Sequence, residues 1–236
     1  MTRTKGSQGE GWVLFADIYG FRGLLSDANF ALTIETLERY VDKLDIFLTK
    51  SQRLQTFDYV IFSDLITIFV PSAKGDQKSL QLVVNICQTI MNIAANHNFL
   101  LRGAMTFGFA TPGKTFILGE AYMRAYRLES NSIYIPVIVI PEEDLDSSGL
   151  LNYYRQDLGF TETKDGNRLN GLILDSAPFD RVEQISQFHI ANLSKLPEDH
   201  VKQTKRDLSP LEIWKSIWSE ARERRMSRKG ARGKDV

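Results

Sequence analysis

Two short runs, Phe15-Ala16-Asp17-Ile18-Tyr19-Gly20-Phe21 and Phe62-Ser63-Asp64-Leu65-Ile66, each set one aspartate in an otherwise apolar, strand-like stretch. An ionised carboxylate in such surroundings is costly unless a cation or hydrogen-bond donors meet it. Two of them suggest a shared cation. Any fold of this chain must therefore answer whether Asp17 and Asp64 meet.

The order of elements bears on that question. Trp12 to Tyr19 reads as a buried strand, and Gly20 and Gly23 mark a turn. From Ala28 the apolar residues fall at Phe30, Ile34, Leu37, Val41, Leu44 and Leu48, the spacing of an amphipathic helix. Thr56 to Phe62 and Leu65 to Val70 read as a tight hairpin split by Ser63-Asp64. A second helix carries Leu80, Val83, Val84, Cys87, Met91 and Ala94 on one face and ends at Asn96-His97-Asn98; Phe99 to Phe107 is the next strand.

The order β-α-β-β-α-β is thus complete by residue 107 and predicts a ferredoxin-like core. Its first and third strands are antiparallel neighbours. Asp17 closes the first and Asp64 opens the third, so the two carboxylates are expected side by side. A shorter helix around Gly119 to Glu129, an apolar strand Ile133 to Ile140 and a hairpin about Asp165-Gly166 follow. After Pro178 the pattern turns helical and polar, with a last helix opening at Ser209-Pro210. The expected class is α+β. Residues 1–11 read as a flexible terminus, 12–180 as one domain, and 181–236 as a helical extension with a basic tail.

Hydrophobic content of 43% and charge of 25% are ordinary for a soluble globular protein. The longest apolar runs are strand-sized, so no membrane span is expected. Met1 to Gly11 lacks the apolar core of a secretory signal. The lone Cys87 cannot form an internal disulfide; it reads as a core residue, and a cytoplasmic location fits. Zero net charge gives no case for stable nucleic-acid binding by the whole surface. Arg222, Arg224, Arg225, Arg228, Lys229, Arg232 and Lys234 crowd the C-terminal end, as a solvated tail or an anion- or membrane-binding arm. His97, His189 and His200 show no metal-ligand spacing.

Paired carboxylates at strand ends, without His or Cys beside them, favour magnesium or manganese, with phosphate oxygens and water completing the shell. Two such ions can activate an attacking oxygen and neutralise a leaving pyrophosphate. The turn Tyr19-Gly20-Phe21 can offer backbone N–H groups to phosphate, or Gly20 simply makes the turn. Arg124 and Arg127 share a helix face. By spacing alone, both an anion site and surface pairing with Glu120 or Glu129 remain open for them.

Together these segments resemble the class III nucleotidyl cyclase catalytic domain. That family opens on Phe-x-Asp-x-x-Gly-Phe, here Phe15 to Phe21, and carries a second metal-binding aspartate in a hairpin, here Phe62-Ser63-Asp64. An Arg-x-Gly strand follows, loosely matched by Arg102 to Gly108, then a Gly-x-x-Val-Asn-x-Ala-x-Arg-Leu helix, here Gly119 to Leu128. The resemblance covers roughly residues 12 to 140. It implies that Asp17 and Asp64, with the Ile18 carbonyl, hold two Mg2+ or Mn2+ ions. A nucleoside 3′-hydroxyl would attack its own α-phosphate. Arg127 would stabilise the transition state from a partner subunit, in a homodimer with composite sites.

The departures from the family pattern concern the nucleoside. The ribose-holding asparagine corresponds to Met123, which cannot hydrogen-bond in that way, leaving Arg124 or backbone to position the sugar. The two base-reading positions hold Val60 and Phe116, with Tyr59 a candidate reader beside them. Losing both polar readers should change base choice. The pattern resembles the pyrimidine cyclases of bacterial Pycsar anti-phage systems, which make cyclic UMP or cyclic CMP for a separate effector. This implies UTP or CTP as substrate. An adenylate or guanylate cyclase, or a non-catalytic nucleotide-binding domain, are the alternatives.

Overall fold

The computed structural model describes residues 8–21, 30–133, 135–155, 158–164 and 167–175. The helical extension, the Ser209 cap and the basic tail lie outside the described residues. The described residues form eight strands: β1 (Gly9–Ile18), β2 (Asp58–Phe62), β3 (Leu65–Pro71), β4 (Leu101–Pro112), β5 (Ile117–Leu118), β6 (Val137–Pro141), β7 (Gly159–Glu162) and β8 (Arg168–Asp175). Helices α1 (Phe30–Gln52) and α2 (Gln77–Asn96) join the first four. Helices α3 (Glu120–Arg127), α4 (Glu142–Ser147) and α5 (Leu151–Tyr154) come later.

One mixed sheet runs β2-β3-β1-β4-β6-β8-β7, with β5 paired to the end of β4. Its first four strands have the ferredoxin-like order. β1 is antiparallel to both β3 and β4, whereas β6 lies parallel to β4. The fold is α+β, as expected.

Side-chain alternation along β1 splits the interior into two layers. Trp12, Leu14, Ala16 and Ile18 pack with Tyr40, Leu44 and Leu48 of α1 and Leu80, Val83 and Cys87 of α2. Burial pushes the Cys87 thiol up, as befits a core residue. Asp76 caps α2, accepting from the Lys78 and Ser79 N–H groups, which hold its carboxyl below the usual range. On the opposite face, Phe15 packs with Ala125, and Val13 with Ala121, both from α3.

Several boundaries differ from the sequence expectation. β1 begins at Gly9, inside the segment read as a flexible terminus. β4 continues to Pro112, because β1 pairs with it as far as Ala110. The strand expected from Ile133 begins only at Val137; Ile133 makes a single bridge, to Thr163. A wide π-helical turn at Leu128–Ser132 takes up the chain before it.

Candidate active site

The β1–β3 register pairs Ala16 with Ile66. Carried one residue further, it sets Asp17 beside Leu65, next to Asp64 in the β2–β3 turn. The register thus brings Asp17 to the residue after Asp64, but the two carboxylates expected side by side act on different groups: Asp64 on Tyr40 of the helix-side core, and Asp17 with Arg102 and Glu129 on the other face. Asp17 shares the face of Phe15 and lies directly across from Arg102 in β4. The Arg102 guanidinium donates to Asp17 Oδ2 at 3.1 Å and also pairs with Glu129, which is buried in the π-helical turn. Asp64 is half-buried, and its charge adds to burial in raising the Tyr40 phenol.

Asp17 Oδ1 is buried and has no hydrogen-bond partner among the described residues. Burial is the main cause that pushes the Asp17 carboxyl up to about 7; Glu129 adds to it and Arg102 opposes it. A carboxyl oxygen with a free lone pair, one residue from a second carboxyl group along the paired strands, fits a hard cation, which would favour its ionised form. Among the described residues no group of three or more acidic, His or Cys side chains forms a metal cluster. A cation here would complete its shell with carbonyl, water or phosphate oxygens.

Gly20 has φ +72°, a left-handed conformation that suits glycine, so it makes the turn after β1. The Tyr19 N–H is bonded to the Leu100 carbonyl at 2.8 Å, and its ring lies 5.9 Å from the Arg102 guanidinium. Phe21 packs against the helix-side core. Ile18 is buried.

Val60 lies beside Phe69 and Ile117 on the α3 side of the sheet. Phe116, half-exposed, directly precedes Ile117; its carbonyl accepts the Gly113 N–H at 2.7 Å. Val60 thus packs in the cluster that holds Ile117, the residue after Phe116. Tyr59 points the other way: its hydroxyl donates to Asp45 at 2.8 Å and lies 2.9 Å from the Thr49 hydroxyl, on α1. It belongs to the helix-side core, away from Val60.

α3 is seated on β4 by close contacts. The buried Thr106 hydroxyl donates to the Ala121 carbonyl at 2.6 Å. A Cβ at Gly119 (φ +143°) would stand 2.4 Å from the Phe109 carbonyl oxygen, so only glycine lets α3 begin there. Arg124 is tied to the buried Asp144 at 2.6 Å, on the side of α4. Arg127 is exposed and shares the outer face of α3 with Met123 and Tyr126.

Sequence reasoning missed Arg102, Glu129 and Lys164 as site residues. Lys164, in the β7–β8 hairpin, donates through Nζ to the Ser130 carbonyl, and its N–H bonds the Ser132 carbonyl at 2.9 Å. Desolvation and Arg102 lower its ammonium pKa, while Glu129 and Asp17 oppose them. One end of the sheet therefore gathers two carboxylates and two cations. The available signal was Arg102 itself, a cation opposite Asp17 once β1 and β4 are paired.

No family profile matches the chain, and no curated protein matches it. Solved structures do. A non-canonical dimeric guanylyl cyclase domain of the RhoGC fusion protein from the aquatic fungus Blastocladiella emersonii aligns with TM-score 0.53 and 15% identity, over 73% of this chain and 98% of that one. The fold is that of nucleotidyl cyclase domains. The guanylate cyclase domain of RhGC from Catenaria anguillulae in complex with GTP aligns with TM-score 0.50 and 16% identity, over 72% and 97%. A bacterial light-regulated adenylyl cyclase aligns with TM-score 0.51 and 12% identity, over 78% of this chain and 58% of that one. No helix among the described residues is long and apolar enough to cross a membrane.

Proposed function

We propose that the protein is a nucleotidyl cyclase acting on UTP or CTP. The O3′–Pα bond forms, the Pα–O–Pβ bridge breaks, and a cyclic 3′,5′-monophosphate and pyrophosphate leave; the 3′-hydroxyl proton passes to solvent. The observation that carries the reading is the buried, unpartnered Oδ1 of Asp17 beside the Asp64 turn, in a cyclase-type fold. Asp17, Asp64 and the Ile18 carbonyl would hold two Mg2+ or Mn2+ ions, which when bound would polarise the attacking and leaving oxygens. Arg102 and Lys164 are the chain's own cations at this end and suit a triphosphate. The Tyr19-Gly20-Phe21 turn lies beside them.

Arg127 is exposed on the outer face of α3. It would therefore serve the site of a second copy, in a homodimer with composite sites. The apolar Val60 and bulky Phe116 support a pyrimidine over a purine, because neither offers a polar group to a purine edge. Arg124, held by Asp144, would support the ribose region by fixing α3. The cyclic product would signal to a separate effector in anti-phage defence, in the cytoplasm. A purine cyclase is the second reading, favoured by the GTP-bound neighbour.

Incubation with each of the four nucleoside triphosphates and Mn2+, with chromatography of products, tests this. Cyclic UMP or cyclic CMP is expected. Cyclic purine products alone would replace the base assignment, and no product from any nucleotide with folded protein would remove the catalytic one.

A further inference from the structure

We propose that Glu129 sets how tightly the Asp17 site takes a divalent cation, by drawing the Arg102 guanidinium away from Asp17. This rests on Asp17 as a metal ligand and adds a control to it. A guanidinium and a carboxylate prefer a bidentate fork, two parallel N–H···O bonds. Arg102 stands opposite Asp17 in the strand register, the ideal place to make one. It does not. A single nitrogen, Nη2, donates to Asp17 Oδ2 and is ion-paired with Glu129 Oε1, which has no hydrogen-bond partner among the described residues. Arg102 Nε and Asp17 Oδ1 are both buried and unpartnered. The guanidinium is stretched between two carboxylates, and the fork on Asp17 stays open.

Glu129 keeps it so because Glu129 is itself fixed. Its Oε2 accepts from the Ser130 hydroxyl at 2.8 Å. The wide turn that carries it is closed by Ile133 N–H on the Leu128 carbonyl at 2.9 Å and pinned to the β7–β8 hairpin by Lys164. Such single wide turns are frequent at functional sites. Without the charge on Glu129, Arg102 would close its fork on Asp17 and fill the lone pairs that a cation needs. With Glu129 present, one oxygen of Asp17 remains free.

The test is titration of the full chain with Mn2+ alone, the free ion followed by electron paramagnetic resonance, so that it does not depend on turnover. Glu129→Gln is expected to weaken Mn2+ binding about tenfold, the scale of lost outer-shell support. Arg102→Gln is expected to tighten it. In the Arg102→Gln background, Glu129→Gln should lose most of its effect, since the two act as one unit. Circular dichroism checks the fold; if Arg102→Gln does not fold, Arg102→Lys, which cannot form a fork, takes its place with the same expectation of a reduced Glu129→Gln effect. Equal losses in both backgrounds would show Glu129 acting by its own charge and overturn the proposal. So would unchanged or tighter binding in Glu129→Gln. Wild-type binding abolished by Asp17→Asn alongside a neutral Glu129→Gln defeats the Glu129 proposal alone. Failure of the wild type to bind Mn2+ defeats the metal site and this control with it.

Discussion

Two Asp–Arg pairs among the described residues, Asp17–Arg102 and Asp144–Arg124, are built differently. At Asp144, Oδ1 accepts from the Phe107 N–H at 2.7 Å and from Arg124 at 2.6 Å. The donor exists because β4 pairs with β6 only through Gly103 and Ala104; beyond them the strands part and Phe107 would otherwise lack an acceptor. Asp144 closes that gap, and Arg124 neutralises it. At Asp17 no backbone donor arrives among the described residues, and the guanidinium bonded to it is shared with Glu129. Burial pushes both carboxyls up to about 7. Among the described residues each pair leaves one buried oxygen without a donor, Asp17 Oδ1 and Asp144 Oδ2; they differ in that Asp144 Oδ1 holds a backbone N–H and an arginine, whereas Asp17 Oδ2 has only a guanidinium shared with Glu129. The same residue types tie α4 to β4 and α3 in one place and leave a carboxylate short of donors in the other, and the number of donors on the paired oxygen tells them apart.

If that contrast is right, the two aspartates fail in different ways. Asp17→Asn should lower turnover at least about a thousandfold, the loss of several kcal/mol of transition-state stabilisation, and shift unfolding by no more than about 1 kcal/mol. Asp64→Asn should behave alike. Steady-state product formation and thermal melting, measured on the same preparations, check it. Near-normal turnover in either variant would make the Asp17 pair as structural as the other.

Arg127→Ala should be inactive as well, yet complementary. Mixed with Asp17→Asn chains, it should recover up to about a quarter of wild-type activity, because one composite site in each heterodimer keeps both residues. Absence of rescue in a heterodimer verified by native mass spectrometry would place Arg127 in its own chain's site or in none.

At the other pair the loss should be in stability. Arg124→Met leaves a fully buried, unpaired carboxylate and should cost about 3 to 5 kcal/mol. The pH dependence carries the sign. Burial raises Asp144 to about 7, against the opposing pull of Arg124 and the Phe107 N–H, so the folded chain holds a proton that the unfolded chain has lost. Its contribution therefore weakens as pH rises from about 4 towards 7, by at most about 1.4 kcal/mol per unit, and levels off above. Asp144→Asn should remove that slope in urea unfolding followed across pH 5 to 8. An unchanged slope would mean that Asp144 stays ionised throughout.

The contrast between the pairs also explains what could be read in advance. The strand and helix order through Phe107 is written in local periodicity, and so is the meeting of Asp17 with the Asp64 turn, because the ferredoxin-like order fixes which strands touch. Arg102 and Glu129 could not be placed that way: their pairing depends on the β1–β4 register and on a wide turn that no spacing announces. The late start of β6 has a similar cause, since the π-helical turn consumes residues that read as strand and Pro136 brings no N–H to a ladder. Tyr59 is different. Adjacent strand residues face opposite ways, so Tyr59 and Val60 were never able to line one pocket, and alternation alone carried that information.

The smallest expected effect is at the base end, and it separates a pocket wall from a mere turn. A Cβ added at Gly113 would lie 2.5 Å from the Phe116 ring, whose atoms are its nearest neighbours. The ring is half-exposed and can swing aside, so Gly113→Ala should change stability by less than about 1 kcal/mol. If Phe116 bounds the space for the base, moving its ring should raise KM for the preferred pyrimidine triphosphate about threefold, less than 1 kcal/mol of binding, and leave kcat unchanged. KM for a purine triphosphate should fall or stay level, since the enlarged space suits the larger base. Equal KM shifts for both classes, or none, would show that Phe116 only closes its own turn, and base choice would then have to come from Val60 and its neighbours.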